Sequence, residues 1–191
     1  MRIELRKLTS TDVLAGAGAG ARTLARLIDT VAAAPCPEPV FLDFTGIDVA
    51  TGSFLRESVL SFRNYCRLSQ PGLYPVVANA TDAVREELEF ILRAMGDVVV
   101  TCNLDAHGNP SDAKVIGTLE PKQRTTLLAV IKAGETDAAG LQKEVGEQEP
   151  IRGTAWNNRL SSLVAKGILI EVRRDRAKRY RPVLEGLSYG S

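Results

Sequence analysis

Apolar residues recur along this chain with two alternating periods through its first hundred residues, and with a mainly helical period after that. Arg2–Leu8 alternates apolar with charged residues, places Ile3 and Leu5 on one face, and predicts a strand. Ala21–Ala34 carries Leu24, Leu27, Ile28 and Val31 at helical spacing. Val40–Phe44 is a short, mostly apolar stretch and predicts a buried strand. Ser53–Leu68 returns to the helical period, with Leu55, Val59, Phe62 and Cys66 on one stripe. Tyr74–Ala78 predicts another short strand. Thr81 then stands as the N-cap of a helix whose Val84, Leu88, Ile91, Leu92 and Met95 are spaced for burial. The β-branched run Val98–Cys102 predicts a last strand. Strands alternating with helices imply a layered α/β domain with a largely parallel sheet.

The segment Asp105–Asp112 is dense in turn formers and has no apolar period, so it is the natural linker. Beyond it, Pro121 stands at a first helical position, followed by Leu127, Leu128, Val130 and Ile131 in a helix that ends near Gly134. Asp137 can cap a second helix bearing Ala138, Leu141 and Val145. Thr154 can cap a third, with Trp156, Leu160, Leu163 and Val164 on its buried stripe and a glycine stop at Lys166-Gly167. Ile168–Arg173 and Arg179–Val183 predict a hairpin with a basic tip. Three helices and a basic hairpin make a winged-helix plan. The expected division is an α/β domain over 1–104, a linker over 105–117, a winged helix-turn-helix domain over 118–186 and a tail over 187–191.

Composition narrows the function classes. With 191 residues the chain suits one large or two small domains. No apolar run is long enough for a membrane span, and the start lacks the apolar core and cleavage site of a signal peptide, so a cytoplasmic protein is expected. Cys36, Cys66 and Cys102 are odd in number and widely spaced, which predicts reduced, mostly packed thiols. The single histidine, His107, leaves a zinc site with too few ligands. Residues 1–112 hold 10 Lys and Arg against 14 Asp and Glu, giving −4, whereas residues 113–191 hold 14 against 9, giving +5. An acidic front and a basic back imply different partners.

The stretch Thr154–Arg173 resembles the recognition helix and first wing strand of bacterial winged-helix regulators, through its leucine pair, its Lys-Gly break and the Arg-Tyr that opens the last strand. That resemblance implies a third helix in the major groove and a wing along the phosphate backbone. The buried stripe leaves Asn157, Asn158, Ser161 and Ser162 facing away from the core. Asparagine pairs with the edge of adenine, and serine reaches bases or phosphates. With Arg152 and Thr154 near the helix start, and Arg173, Arg174, Arg176, Lys178 and Arg179 on the wing, these residues form a candidate surface for duplex DNA. The acidic stretch Glu144–Pro150 lies before the same helix and opposes phosphates there. Winged helices also serve as protein-docking modules, so both partners stay open.

In the front half, Val40–Glu57 joins a strand ending in Asp-Phe to a helix opened by Ser-Phe-Leu, through a Gly-Ile step and small polar residues. It resembles the STAS-like family related to anti-anti-sigma factors, and the order of elements extends that resemblance over 1–104. The resemblance implies a protein partner, and a serine at the helix start phosphorylated by an ATPase-kinase. Added negative charge there would be held by the helix N-terminus while repelling an acidic partner. An ungapped match puts Gly52 at the serine's position, between Thr51 and Ser53, and Ser53 is expected as the helix cap.

Other chemistries fare less well. Asp43 and Asp48 bracket the strand end without a histidine, and Asp43 is expected to satisfy loop donors rather than act as an acid or base. Gly16–Gly20 lacks the lysine and Ser/Thr of a phosphate loop and is expected to be a small-residue entry into a closely packed helix. No cofactor and no enzymatic activity are expected. The expectation is a regulatory protein, a DNA-binding transcriptional regulator whose STAS-like domain binds a protein partner. The alternative is an adaptor that does not touch DNA and serves an ATPase-kinase or a defence complex. A homodimer suits symmetric DNA sites, although no heptads enforce one.

Overall fold

The computed structural model describes residues 1–31, 36–145, 153–174 and 177–190. The first strand, β1 (Arg2–Glu4), is shorter than the alternation predicts, because the chain turns into the single-turn helix α1 (Leu5–Thr9). Ile3 and Leu5 are both buried all the same. β2 (Val13–Leu14) precedes α2 (Ala17–Thr30), which starts four residues before the predicted helix. Gly16 opens it with φ 85°, and a Cβ on Gly20 would lie 2.8 Å from the Phe54 carbonyl, so the glycine-rich entry serves close helix packing. The helix ends at Thr30: Val31, expected on its apolar stripe, is an extended C-cap (φ −99°, ψ 136°), and the expected continuation over 32–34 lies outside the described residues.

β3 (Glu38–Asp43) and β4 (Val49–Ala50) lead into one continuous helical stretch: α3 (Gly52–Leu55), a π turn (Arg56–Leu60) and α4 (Ser61–Ser69). β5 (Leu73–Ala78), α5 (Asp82–Met95) and β6 (Val98–Leu104) follow as the periodicity predicts. Thr81 caps α5 by accepting from the Val84 N–H. Met95 departs from expectation: it sits in the last turn, half exposed, beyond the reach of the stripe formed by Val84, Leu88 and Leu92.

The stretch read as an interdomain linker is a hairpin. Asp105 Oδ1 accepts from the N–H groups of His107 and Asn109, each at 2.8 Å, and Gly108 takes φ 83°. The chain then returns as β7 (Pro110–Gly117), antiparallel to β6. Dense turn formers mark a tight turn and a linker alike, and here the partner strand decides. The three helices α6 (Pro121–Ala133), α7 (Ala138–Val145) and α8 (Gly153–Ala165) follow. After them come β8 (Leu169–Arg174), β9 (Ala177–Pro182) and β10 (Ser188–Tyr189). Pro121 opens α6, Asp137 Oδ1 caps α7 by accepting from Gly140, and Gly167 (φ 76°) closes α8. Thr154 lies inside α8, one residue past its start, rather than at its cap. The expected tail is no tail: β10 pairs in parallel with β7, and the Leu119 N–H donates to the Tyr189 hydroxyl at 3.0 Å.

The six strands of the main sheet stand in the order β1-β3-β5-β6-β7-β10. The first four are parallel and are added in one direction. Right-handed crossovers in one direction put every connecting helix on the same face. Leu42, Val40, Val77 and Val99 therefore pack with Leu27, Phe54, Phe62 and Leu88. That winding leaves the opposite face of Phe41, Tyr74, Val76, Val98, Val100 and Val115 without a helix of its own. The helices α6–α8 cover it, and those sheet residues share one core with Leu127, Leu141, Trp156 and Leu163. The chain forms a mixed α/β structure of three layers.

A polar cluster holds the seam. Arg63 on α4 is almost fully buried; its Nη2 lies 2.5 Å from Asp97 Oδ2 and its Nη1 donates to the Val98 carbonyl at 2.6 Å. Lys166, just past α8, approaches the other Asp97 oxygen at 3.3 Å. Burial by itself would raise the pKa of Asp97, but the hydrogen bond and charge of Arg63 outweigh it and hold the carboxyl below its usual value. Among the described residues no helix is long and apolar enough to cross a membrane.

Candidate functional site

The polar face of α8 and the β8–β9 hairpin form the first candidate surface. Trp156, Leu160 and Leu163 are fully buried, and the Trp156 indole N–H donates to Gln142 Oε1 at 3.1 Å, fixing the rotation of α8 about its axis. That rotation exposes Thr154, Asn157, Asn158 and Ser161, which follow the i, i+3, i+4, i+7 spacing of one helical face. Ser162 belongs to the edge of this face: it is half-buried, and its hydroxyl accepts from Gln123 Nε2 of α6 at 2.8 Å. Arg159 stacks over the Trp156 ring at 5.0 Å.

β8 and β9 pair through to Arg174 opposite Ala177. Arg173 is exposed, opposite Lys178. Two expected phosphate ligands are held within the chain. Lys178 Nζ lies 3.0 Å from Glu171 Oε1, while Arg179 lies 3.2 Å from Glu135 and 3.5 Å from Asp137. Arg152, Arg176 and the acidic residues Glu147 and Glu149 lie outside the described residues, and of Arg174 only the backbone is described. Sequence reading missed one feature. Thr136, between α6 and α7, exchanges both backbone hydrogen bonds with Tyr180, at 2.9 and 2.7 Å, adding a bridge to the edge of the hairpin. A single-residue bridge has no periodic signal by which a sequence could announce it.

The second surface surrounds the carboxyl end of β3. Asp43 is fully buried, as its expected role as acceptor requires. It accepts from the Thr45 N–H at 3.0 Å, the Thr45 hydroxyl at 2.8 Å, Asn79 Nδ2 at 2.9 Å and Arg2 Nε at 2.7 Å. Burial opposes its charge, yet those donors together lower its pKa. A carboxylate so fully partnered ties β1, β3 and β5 together and has no lone pair directed at a substrate.

The helix cap at this end is Thr51, two residues ahead of the expected Ser53. Its Oγ1 accepts from the Phe54 N–H at 3.4 Å and from the Gly16 N–H at 3.1 Å, joining α3 to the entry of α2. Ser53 stands inside the first turn, half-buried, with Oγ 3.2 Å from Thr51 Oγ1. Gly52 packs against α5, where an added Cβ would lie 2.7 Å from Ile91 Cγ2 and 3.2 Å from Glu87 Oε2. No group of three or more metal-ligating side chains occurs among the described residues.

The two surfaces are not one site. They rest on different cores: the α8 surface on the one containing Trp156 and Leu163, the β3 end on the one containing Leu42 and Phe54. Comparisons of the chain with protein-family models, with curated proteins and with solved structures return no match.

Proposed function

We propose that the protein is a DNA-binding regulator in which α6–α8 and the β8–β9 hairpin act as a winged helix-turn-helix unit. In this reading the sheet with α2–α5 acts as a STAS-like unit that receives a protein partner. The observation that carries it is the exposed stripe Thr154, Asn157, Asn158 and Ser161 on α8, presented beside a hairpin that bears Arg173. These side chains supply amide and hydroxyl groups of the kind that hydrogen-bond to base edges and phosphates. The Thr136–Tyr180 bridge supports this reading in that it ties the α6–α7 connection to the edge of the hairpin through a single residue pair.

A specific observation favours a second reading, an adaptor that docks to protein alone. Lys178 and Arg179 already have carboxylate partners, which reduces the cationic charge the wing offers to phosphates. For the STAS-like unit, the tight packing of Gly52 speaks against a phosphorylated side chain at that position, leaving the adjacent hydroxyls of Thr51 and Ser53, of which Thr51 already accepts from two backbone N–H groups.

Fluorescence anisotropy with a labelled random-sequence duplex, run at several salt concentrations, separates the two readings. The DNA reading expects salt-dependent binding, at least tenfold weaker in the double variant N157A/N158A. Binding that is absent at 50 mM salt, or indifferent to these substitutions, excludes it.

A further inference from the structure

We propose that the seam between the sheet layer and the α8 layer contains a binding site for a small aromatic or branched apolar acid. This site does not depend on the DNA reading. A cavity of about 720 Å³ opens where the α4–β5 turn faces the end of α8 and the start of β8. That volume falls within the range usual for small-molecule sites.

Its walls are apolar: Pro37, Leu68, Tyr74, Val164 and Ala165 line it. Leu68 is 86% exposed, the most exposed of the large apolar side chains among the described residues. An apolar side chain left this open beside a cavity gains burial when an apolar ligand enters.

The polar groups in the wall are unequal, and their imbalance sets the charge of the ligand. The Arg67 guanidinium carbon lies over the Tyr74 ring, 3.7 Å from its centroid. Its Nη2 donates to the Pro71 and Leu73 carbonyls. Its Nε is buried without an acceptor, and among the described residues its charge has no carboxylate partner. Asn64 uses its Oδ1 to accept from Arg63, which leaves its amide N–H₂ as a donor at the same rim. The one acid of the cavity, Glu171, is offset by Lys178 at 3.0 Å. The cavity thus carries one uncompensated cation and a spare donor beside apolar walls. A carboxylate pairs with a guanidinium through charge-assisted hydrogen bonds, and a ring or branched chain fills the remaining space.

The cavity wall comes from two layers, so a bound acid adds contacts across the seam and stabilises the docking of α8. Isothermal titration with 2-naphthoate tests the site on the full chain, with 2-naphthalenemethanol as the uncharged control. The result expected is binding of 2-naphthoate below 1 mM and binding of the alcohol at least tenfold weaker. A165W fills the cavity from an exposed helix position and should weaken 2-naphthoate at least tenfold while unfolding at the wild-type temperature. Arg67→Met should remove the preference for the acid over the alcohol. No binding of 2-naphthoate, equal binding by A165W, or equal binding of acid and alcohol by the wild type each overturns the proposal. Failure of the chain to bind DNA leaves all of these readings intact.

Discussion

Replacing Gly52 by serine asks whether a side chain, and with it a phosphate, fits where the STAS-like resemblance would place one. The new Cβ would lie 2.7 Å from Ile91 Cγ2, roughly 0.8 Å inside the ~3.5 Å at which carbon atoms pack well. Glu87 Oε2, at 3.2 Å, is the far end of a long side chain and can swing away. Ile91 cannot do so as easily, because a β-branched side chain in a helix has one strongly preferred rotamer. Overpacking of this kind costs about 1–3 kcal/mol, and the better helix propensity of serine returns up to about 0.5 kcal/mol. The net loss is about 0.5–2.5 kcal/mol. With a urea slope of ~2 kcal/mol/M, the unfolding midpoint followed by circular dichroism should fall by about 0.3–1.2 M. The double-mutant cycle supplies the decisive comparison. Ile91→Ala removes the clashing methyl, so G52S in that background should cost less than about 0.5 kcal/mol. A serine tolerated at no cost, or an equal cost in both backgrounds, would refute the packing argument and reopen position 52 to phosphorylation.

Three further outcomes are expected. A chain ending at Gly117 bares Phe41, Tyr74, Val76, Val98, Val100 and Val115, so it should bind a hydrophobic dye and elute as aggregate in size-exclusion chromatography; a well-folded monomer would contradict the shared core. Asp43→Asn should lower stability at pH 7. The folded pKa of Asp43 is depressed, so its contribution is present above the unfolded value of about 4 and is lost as pH falls through the folded value; the gap between wild type and variant should close in acid-urea titrations, and a gap that widens would refute the assignment. Burial pushes the thiols of Cys66 and Cys102 up to about 12, whereas Cys36 is exposed. Ellman's reagent at pH 8 should therefore titrate one thiol per native chain and three in denaturant, and rapid reaction of all three in the native chain would contradict the packing.

Much of the secondary structure was legible from periodicity and end signals. Thr81, Pro121, Asp137 and Gly167 mark helix ends through local chemistry that needs no distant partner. The errors share one cause. Ser53 and Thr154 read as caps because each is a good capping residue near a helix start. The actual end of α3 was set by Thr51, whose hydroxyl also serves Gly16, 35 residues away. The candidate surface on α8 was readable because the buried stripe of a helix fixes its opposite face. The neutralisation of Lys178 and Arg179 was not readable, since Glu171, Glu135 and Asp137 approach them only through folding.

Local spacing fixes the long helices, the strands β3, β5, β6, β8 and β9, and which face of each helix is apolar, because these depend on neighbours a few residues apart. Tertiary structure decided that the turn-rich stretch at Asp105–Asn109 closes a hairpin, that β10 returns to β7, and that α6–α8 form a third layer on the sheet. The physical reason lies in the winding. A sheet built in one direction covers one face with its own crossovers, and its strands are apolar on both. Strand β5, buried at every position from Leu73 to Ala78, records the requirement for a second cover without naming the residues that supply it.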